Sequence, residues 1–258
     1  MNYSKESMGE PLEESTVPEK NPNPRVIEVE DQLFRQFAEA LPDLSADQVQ
    51  RLSPVVTRIA EQMTELENIA VYDTLLRKFF RHQNFLELLQ EEAKAAEAIP
   101  PGKLGSVLIF MDLDNFKAVN DILGHQTGDE LLRTTGDAVL RSIRPGDTPG
   151  RVGGEELAVI IRRTTIEGAV AAARRIQTAV IEVSQKQFAN QGVIQTVSIG
   201  ICPIESNLIP DLTLVTADKA MYVSKANGKN RITIAQFDQA TKEPKMIPVE
   251  PIKQGAGK

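Results

Sequence analysis

The chain of 258 residues contains one cysteine, no tryptophan and no long apolar run. A lone Cys202 excludes an internal disulfide framework and is typical of a reducing cytoplasm. No apolar segment approaches the roughly 20 residues that a membrane-spanning helix needs. The first residues are polar and acidic and lack the apolar core of a secretion signal. We therefore expect a cytoplasmic protein without a membrane segment.

Positive charge is also in short supply, since 29 Lys and Arg stand against 36 Asp and Glu, for a formal net charge of −7. With tryptophan absent as well, a broad nucleic-acid surface is disfavoured, and we expect no nucleic-acid partner. An acidic chain can still bind phosphate groups through a local basic cluster or a metal ion. The apolar fraction of 41% is ordinary for a globular protein with a packed core.

Composition divides the chain into four parts. Residues 1–26 are rich in Glu, Pro, Ser and Asn and are predicted to be a disordered tail, and residues 236–258 a flexible C-terminal tail. Residues 27–70 are predicted to form a helical dimerisation or input region with a stalk. Residues 71–235 are predicted to form the main domain.

Helical signals run through the first ordered part. Apolar positions between Ile27 and Phe37 predict a short amphipathic helix that ends at Leu41-Pro42. Residues 45–48 have the spacing of a capping box and predict the start of a second helix. Pro54 either begins a fresh helix or kinks this one.

An apolar repeat follows Pro54. Its members recur every three to four residues over about two heptads: Val55, Ile59, Met63 (or Gln62), Leu66 and Ile69. The repeat indicates either a stalk that pairs with a second copy or a helix packed on its own domain.

In the main domain, patterning predicts helices over 72–98, 116–123, 131–143, 166–183 and 212–226, and strands over 106–112, 148–152, 156–161, 194–202 and 231–234. After the first helix the order is β-α-β-β-α-β. That order matches an α+β fold, a ferredoxin-like palm with an antiparallel-rich central sheet flanked by helices.

This topology brings acidic residues to one edge of the sheet. Asp112 ends the first strand beside the turn Gly153-Gly154, which carries Glu155 and Glu156. Three converging carboxylates repel one another unless a positive charge lies between them, and magnesium or manganese would meet that need. The glycines would let backbone approach a bulky ligand. The alternative is a tight hairpin followed by two solvated glutamates.

A longer motif sets this turn in context. The pattern D-x-D-x-F-K-x-x-N-D-x-x-G-H-x-x-G-D is matched at every fixed position from Asp112 to Asp129, and G-G-E-E-L follows at 153–157. Over residues 71–235 the chain resembles the GGDEF family of diguanylate cyclases, whose closing motif is also similar to residues 217–231. The resemblance implies condensation of two GTP molecules into cyclic di-GMP and two pyrophosphates.

The resemblance also implies metal ligands. Asp112 and Glu155, assisted by the backbone carbonyl of Leu113, would bind two Mg²⁺ or Mn²⁺ ions per active site. Glu156 would help to position a metal ion or the attacking hydroxyl.

Nucleotide contacts are implied in the same way. Asn120 and Asp129 would bind the guanine edge, and a carboxylate suits guanine better than adenine. Lys225 and Lys229 would hold the β- and γ-phosphates, and Gly153 and Gly154 would also bind the GTP. The alternative for the lysines is a solvated helix end, and for Asn120 a helix-surface position.

Each domain would bind one GTP, so the resemblance implies a homodimer that the N-terminal helices could pair. An unknown protein partner for these helices is a further possibility. The alternative function is a catalytically weak or inactive receptor that binds GTP or cyclic di-GMP and signals through the helices.

A second site is suggested upstream of the turn. Arg144 and Asp147 fit the family's R-x-x-D inhibitory motif, and Arg175 would supply another arginine for bound cyclic di-GMP. The alternative is a plain turn, because Arg-Pro-Gly-Asp also has good turn chemistry.

The chain departs from the family pattern in three places. In the opening motif D-x-L-T-G-L-x-N-R only Asp73, Leu75 and Arg81 are kept, with Leu76 and Arg77 in place of Thr and Gly. Leu157 replaces Phe, and Lys229 stands where Arg is common. None of these changes removes an implied metal ligand or guanine contact.

Overall fold

The computed structural model describes residues 24–40, 45–96, 104–205, 210–238 and 243–250. It divides into two compact units, Met1–Asn68 and Ile69–Lys258. This division falls close to the boundary that composition predicts between residues 70 and 71.

The first unit contains α1 (Pro24–Ala40) and most of α2 (Ala46–Val71). The predicted capping box is confirmed, because the Ser45 backbone N–H donates to Gln48 Oε1 at 2.9 Å and the Gln48 N–H donates to Ser45 Oγ at 3.4 Å. Pro54 lies inside α2 rather than at a new start. The disordered tail was predicted to reach residue 26, which is wrong for 24–26, because α1 begins at Pro24. The Leu41-Pro42 step lies outside the described residues.

The two helices pack through one side of α2. Val56, Ala60 and Thr64 are buried there, and the Thr57 hydroxyl donates to Glu30 of α1 at 2.6 Å. A second row on α2 is exposed, with Leu66 at 66%. This α2 stripe consists of Val55, Ile59, Met63, Leu66 and Ile69.

The second unit carries the sheet and the remaining helices. Its elements are β1 (Phe80–Arg81), α3 (His82–Ala96), β2 (Gly105–Leu113), α4 (Phe116–Leu123), α5 (His125–Ser142), β3 (Thr148–Arg151), β4 (Glu156–Thr164), α6 (Ile166–Gln187), a 3₁₀ turn (Ala189–Gln191), β5 (Val197–Pro203), α7 (Pro210–Ala226), β6 (Ile232–Phe237) and β7 (Pro244–Val249). The helix predicted over 72–98 begins only at His82, since a turn and the short strand β1 occupy the preceding residues.

The sheet has the strand order β1-β3-β4-β2-β5-β6-β7. The central strand β2 pairs antiparallel with β4 and β5, whereas β1–β3 and β5–β6 are parallel pairs. Side chains alternate along β2, so Ile109 and Met111 join one apolar cluster with α5 and α6, and Leu108 and Phe110 join another with α3 and α7. This is the predicted α+β fold, a mixed sheet flanked by helices.

The C-terminal strand β7 corrects the sequence prediction. Residues 236–258 were predicted to be a flexible tail, yet β6 continues to Phe237 and β7 pairs with it antiparallel from Pro244 to Val249. Pro244 and Pro248 are compatible with this strand because it lies at the edge of the sheet. None of the helices in the described ranges is both long and apolar enough to cross a membrane.

Candidate functional site

The end of β2 and the β3–β4 turn bring acidic residues together. Asp112 is paired across the strands with Glu156, and the Leu113 backbone N–H donates to the Glu155 carbonyl at 3.4 Å. Directly paired residues project to the same face of a sheet. The structure therefore places Asp112 and Glu156 side by side, with Glu155 next to them in the turn.

A lysine lies at this acidic edge. Lys225, in the last turn of α7, places Nζ 2.7 Å from Asp112 Oδ1, with side chains 29% and 7% exposed respectively. From the sequence, a metal ion was expected to supply the positive charge between the carboxylates, and Lys225 was expected to bind phosphate. In the structure, the Lys225 ammonium itself forms an ion pair with the Asp112 carboxylate. The pairing joins residues far apart in the chain, and no local signal reveals it.

The pKa values of the three carboxyl groups stay raised despite the positive charge of Lys225. The pKa of Asp112 is raised, first by burial, although the hydrogen bond and charge of Lys225 act in the opposite direction. Burial and then the negative charge of Asp112 raise the pKa of both Glu155 and Glu156, and Lys225 again opposes the shift. One lysine therefore partly compensates three carboxylates.

The donor set suits a hard divalent cation. Carboxylate and carbonyl oxygens are the ligands that Mg²⁺ and Mn²⁺ prefer. The pKa values of the three carboxyl groups are raised by burial first and by neighbouring negative charge second, and a bound cation would offset both effects. Within the described ranges, no three acidic, histidine or cysteine side chains already stand close enough to hold an ion. The residues fit the cation by chemistry, and the carboxylates would have to draw together around it.

Gly153 allows Glu156 to fold back over the turn. A β-carbon at Gly153 would lie 2.1 Å from Glu156 Oε2, whereas one at Gly154 would meet nothing within 4 Å. A side chain at position 153 would therefore displace the Glu156 carboxylate. Open space at Gly154 leaves room for a ligand.

Arg151 holds the turn in place and was not among the site residues predicted from the sequence. Its guanidinium donates to the carbonyls of Gly153 at 3.2 Å and Gly154 at 2.6 Å, and it pairs with Asp73 at 3.1 Å. Asp73 also accepts from the backbone N–H groups of Leu75 and Leu76 at 2.9 and 2.8 Å. The retained aspartate of the opening motif thus connects that turn to the acidic hairpin.

Asn120 on α4 and Asp129 on α5 lie on either side of the junction between these two helices. Asn120 is half-buried, and a β-carbon at Gly128 would lie 1.8 Å from its Oδ1. The absence of a side chain at Gly128 therefore lets Asn120 pack on the first turns of α5, beside the exposed Asp129. The two proposed guanine contacts lie close together.

Asp114 is a buried anchor that the motif contained without an assigned role. It accepts hydrogen bonds from the hydroxyls of Thr196 and Ser198, both at 2.7 Å, and from the Asn230 backbone N–H at 3.0 Å. These bonds tie the end of β2 to β5 and to the loop after α7. The sequence signal for this role is that Asp114 is a second acidic residue directly after a buried strand.

The same loop positions Lys229. Lys229 and Asn230 both have positive φ, 61° and 47°, a conformation uncommon for residues other than glycine. The Lys229 ammonium donates to the Asn115 side-chain carbonyl, and Asn115 itself has φ 59°. Lys229 therefore lies near the N-terminus of α4, and its described side-chain contact is not with the three carboxylates.

The Arg144–Asp147 segment forms a closed turn. Asp147 accepts from the backbone N–H groups of Arg144 at 2.8 Å and of Arg162 at 3.2 Å. Arg175 on α6 donates to the Ser142 carbonyl at 3.1 Å, so it lies near the start of this segment. The structure brings the three residues of the suggested inhibitory site into one neighbourhood, with Arg144 exposed.

The departures in the opening motif are accommodated by packing. Leu76 is buried against α5, where a β-carbon at Gly136 would lie 2.9 Å from its Cδ2, while Arg77 is exposed. Leu157 is fully buried in the sheet.

Comparison with known proteins gives a consistent family match. The model of the family described as "Diguanylate cyclase, GGDEF domain" matches residues 61–231. The chain is similar to the probable diguanylate cyclase DgcT of Escherichia coli K12, with 34% identity over 65% of this chain and 36% of that protein. Diguanylate cyclase A of Treponema denticola is 32% identical over 69% of this chain and 48% of that protein. The chain thus spans less than half the length of these curated relatives.

Solved structures are similar over most of this chain. The coiled coil and GGDEF domain of DgcB from Caulobacter crescentus, in complex with c-di-GMP, gives a TM-score of 0.63 at 25% identity, covering 73% of this chain and 98% of that one. The diguanylate cyclase SiaD from Pseudomonas aeruginosa, in complex with its activator SiaC, gives a TM-score of 0.59 at 25% identity, covering 82% of each chain.

Proposed function

This chain belongs to the GGDEF family, and on that premise we propose that it condenses two molecules of GTP into cyclic di-GMP and two pyrophosphates. The observation that carries the proposal is the acidic edge, where Asp112, Glu155 and Glu156 meet with incompletely compensated charge. Such an edge suits a metal–triphosphate complex. In each of two steps a 3′-hydroxyl attacks the α-phosphorus of the facing nucleotide, and pyrophosphate leaves.

Recognition of guanine falls to Asn120 and Asp129. The carboxylate of Asp129 can accept two hydrogen bonds, one from the ring N–H and one from the amino group of guanine, while adenine offers no such pair. Gly128 supports this arrangement by making room for the Asn120 side chain. The preference for GTP over ATP follows from these two residues.

Phosphate binding falls to the hairpin turn and two lysines. Gly154 leaves open space above the turn, and Lys225 and Lys229 supply positive charge at the loop after α7. Asp112, Glu155 and the Leu113 carbonyl would hold Mg²⁺ or Mn²⁺, two ions per active site. When bound, the ions neutralise phosphate charge and lower the pKa of the attacking hydroxyl. Glu156 would help to orient that hydroxyl or an ion.

Each domain supplies one GTP half-site, so catalysis requires two copies that face each other. The α2 stripe is the proposed pairing surface, because Val55, Ile59 and Leu66 are exposed at helical spacing beside a face that α1 already covers. A protein partner for these helices is a second proposal, and the similar diguanylate cyclase SiaD is known in complex with its activator SiaC. A cytoplasmic location stays a prediction.

Product inhibition is proposed at Arg144, Asp147 and Arg175. The two arginines are exposed, and Arg175 donates to the Ser142 carbonyl, two residues before Arg144. Guanidinium groups bind phosphate and stack on guanine. Arg144→Ala should raise the concentration of cyclic di-GMP that halves the initial rate several-fold. Arg141→Ala, on the preceding turn of α5, is the control. Unchanged inhibition would identify the Arg-Pro-Gly-Asp segment as a turn only.

The function is tested by incubating purified protein with GTP and Mg²⁺ and separating the nucleotides by chromatography. We expect cyclic di-GMP from the unmodified protein and none above background from Glu155→Ala. The receptor alternative, which the altered opening motif keeps open, predicts binding of GTP or cyclic di-GMP without turnover. Equal product from the two proteins, or none from either, would contradict the cyclase proposal.

A further inference from the structure

The ion pair between Lys225 and Asp112 is built into the framework of the domain. A β-carbon at Gly200 would lie 2.0 Å from the Ala217 carbonyl, so α7 packs directly on β5. Near the end of the helix, the Ser224 hydroxyl donates to the Ile199 carbonyl at 2.8 Å. The backbone of Lys225 is therefore fixed beside the strand that neighbours Asp112, and its side chain alone has freedom to move.

The two lysines at this end of the domain are placed differently. Lys225 lies on a carboxylate that is 7% exposed, at the centre of the acidic edge. Lys229 lies on the neutral amide of Asn115. Of these two lysines, only Lys225 would lie next to a metal ion bound to Asp112.

We propose that Lys225 acts as a resident counter-ion of Asp112 that gives way when metal and triphosphate arrive together. The inference rests on the proposed function, since it supposes that Asp112 is a metal ligand. The triphosphate offers the ammonium a new anionic partner and so releases Asp112 to the ion. Lys225 is then a positioning residue that makes binding of the metal depend on the nucleotide.

The physical reason is the cost of the intermediate states. A divalent ion that enters alone must either displace the ammonium, leaving it without an anion, or share the site with it against charge repulsion. Without Lys225, and before a metal ion binds, the negative charge of the buried Asp112 carboxylate would have no cation beside it. The lysine thus stabilises the ligand-free protein and weakens the binding of free metal.

Removal of the charge tests this inference without any measurement of catalysis. The affinity for Mn²⁺ alone is measured by titration calorimetry and by the electron paramagnetic resonance signal of free Mn²⁺, with no nucleotide present. Lys225→Met should bind Mn²⁺ about tenfold more tightly than the unmodified protein, the size expected when a partly buried ion pair no longer has to be broken. Lys225→Arg retains the charge and should bind as the unmodified protein does. Lys229→Met, the matched control, should also leave the affinity unchanged.

A Lys225→Met variant that binds Mn²⁺ no more tightly than the unmodified protein would overturn the inference. Since that variant could fold poorly, a second measurement uses the unmodified protein alone. Its melting temperature is recorded with Mn²⁺, with a GTP analogue carrying a methylene group between the α- and β-phosphorus atoms, and with both. The two ligands together should raise it by more than the sum of their separate effects, and additive shifts would contradict the proposal.

The same experiments separate this inference from the proposed function. If the unmodified protein binds no Mn²⁺ even with the analogue, the metal site itself is wrong, and the cyclase proposal fails with it. If it binds Mn²⁺ with the analogue but Lys225→Met does not tighten binding of Mn²⁺ alone, only the role of Lys225 is refuted.

Discussion

The two ends of the β3–β4 hairpin use charged residues in opposite ways. At the turn, Glu155 and Glu156 share one lysine with Asp112, and the pKa values of all three carboxyl groups are raised. At the open end, Arg162 and Asp147 each have their own donors or acceptors. Arg162 donates to Glu92 and, at 2.6 Å, to the Thr148 hydroxyl, while Asp147 accepts from two backbone N–H groups.

This difference separates a binding site from a scaffold. Charges that are fully paired within the protein hold the loops in place and gain little from a ligand. Charges that are desolvated and share too few partners gain from an incoming cation, so they favour binding at the expense of the ligand-free state. We therefore expect substitutions at the turn to affect activity more than stability, and substitutions at the open end to do the reverse.

The largest effect is expected from Glu155→Gln. Loss of this carboxylate should lower the rate of cyclic di-GMP synthesis by about a hundredfold or more, because it removes a proposed metal ligand. The melting temperature should change little, since Glu155 is half-buried and has no described hydrogen-bonded partner for its side chain. Initial rates and thermal unfolding are compared with those of Glu91→Gln, an exposed position on α3. A lower melting temperature with an unchanged specific activity would contradict this expectation.

The open end is tested by Arg162→Met. The free energy of unfolding should fall by about 1–3 kcal/mol, because Glu92 and the Gly146 carbonyl lose a charged donor in a partly buried setting. Turnover of the folded protein should stay near that of the unmodified chain. Denaturant titration of Arg163→Met, at the exposed neighbouring position, serves as the reference. Equal stability of the two variants would show that the open end is not a scaffold.

A smaller effect is expected from Gly153→Ala. The new β-carbon would lie 2.1 Å from Glu156 Oε2, so the Glu156 side chain must move, and we expect a several-fold loss of kcat with little change in melting temperature. Gly154→Ala meets no atom within 4 Å in the ligand-free protein. It should therefore alter the apparent KM for GTP rather than the arrangement of Glu156. The same kinetic pattern in both variants would contradict this division.

The smallest effect concerns pH. The pKa of Glu156 is raised in the folded protein, so this residue stabilises the fold at pH values below its ordinary pKa, and that contribution is lost as the pH rises through the raised value. Glu156→Gln, measured in EDTA, should therefore be more stable than the unmodified protein at neutral pH, and the difference should shrink towards pH 4. A gain that is independent of pH would assign the effect to packing instead.

Local patterns accounted for much of the fold. Buried β2, the glycine turn and the capping box at Ser45 were predicted because each depends on residues that are near one another in the chain. The helix predicted from residue 72 failed because Asp73 captures the N–H groups of Leu75 and Leu76 in a turn. Strand β7 was not predicted because its sequence is polar and contains prolines. It forms a strand by pairing with β6 at the edge of the sheet.

The site was predictable in its residues more than in its interactions. Asp112 was predicted at the end of a strand beside the glycine turn, and it lies there because the topology of the sheet follows from the order of its elements. Asn120 and Asp129 were implied by the family motif, and their roles stay predictions. The contacts of Arg151 with Asp73 and of Lys225 with Asp112 join distant segments. Such pairs depend on how α7 and the opening turn pack on the sheet, which no local pattern encodes.

The most direct test of the central claim is the stoichiometry of GTP turnover. Purified protein is incubated with GTP and Mg²⁺, and cyclic di-GMP and pyrophosphate are quantified in the same samples over time. We expect two pyrophosphates for each cyclic di-GMP and a specific activity that rises with protein concentration, because two copies must face each other. Release of inorganic phosphate with GDP, or no turnover at any protein concentration, would contradict it.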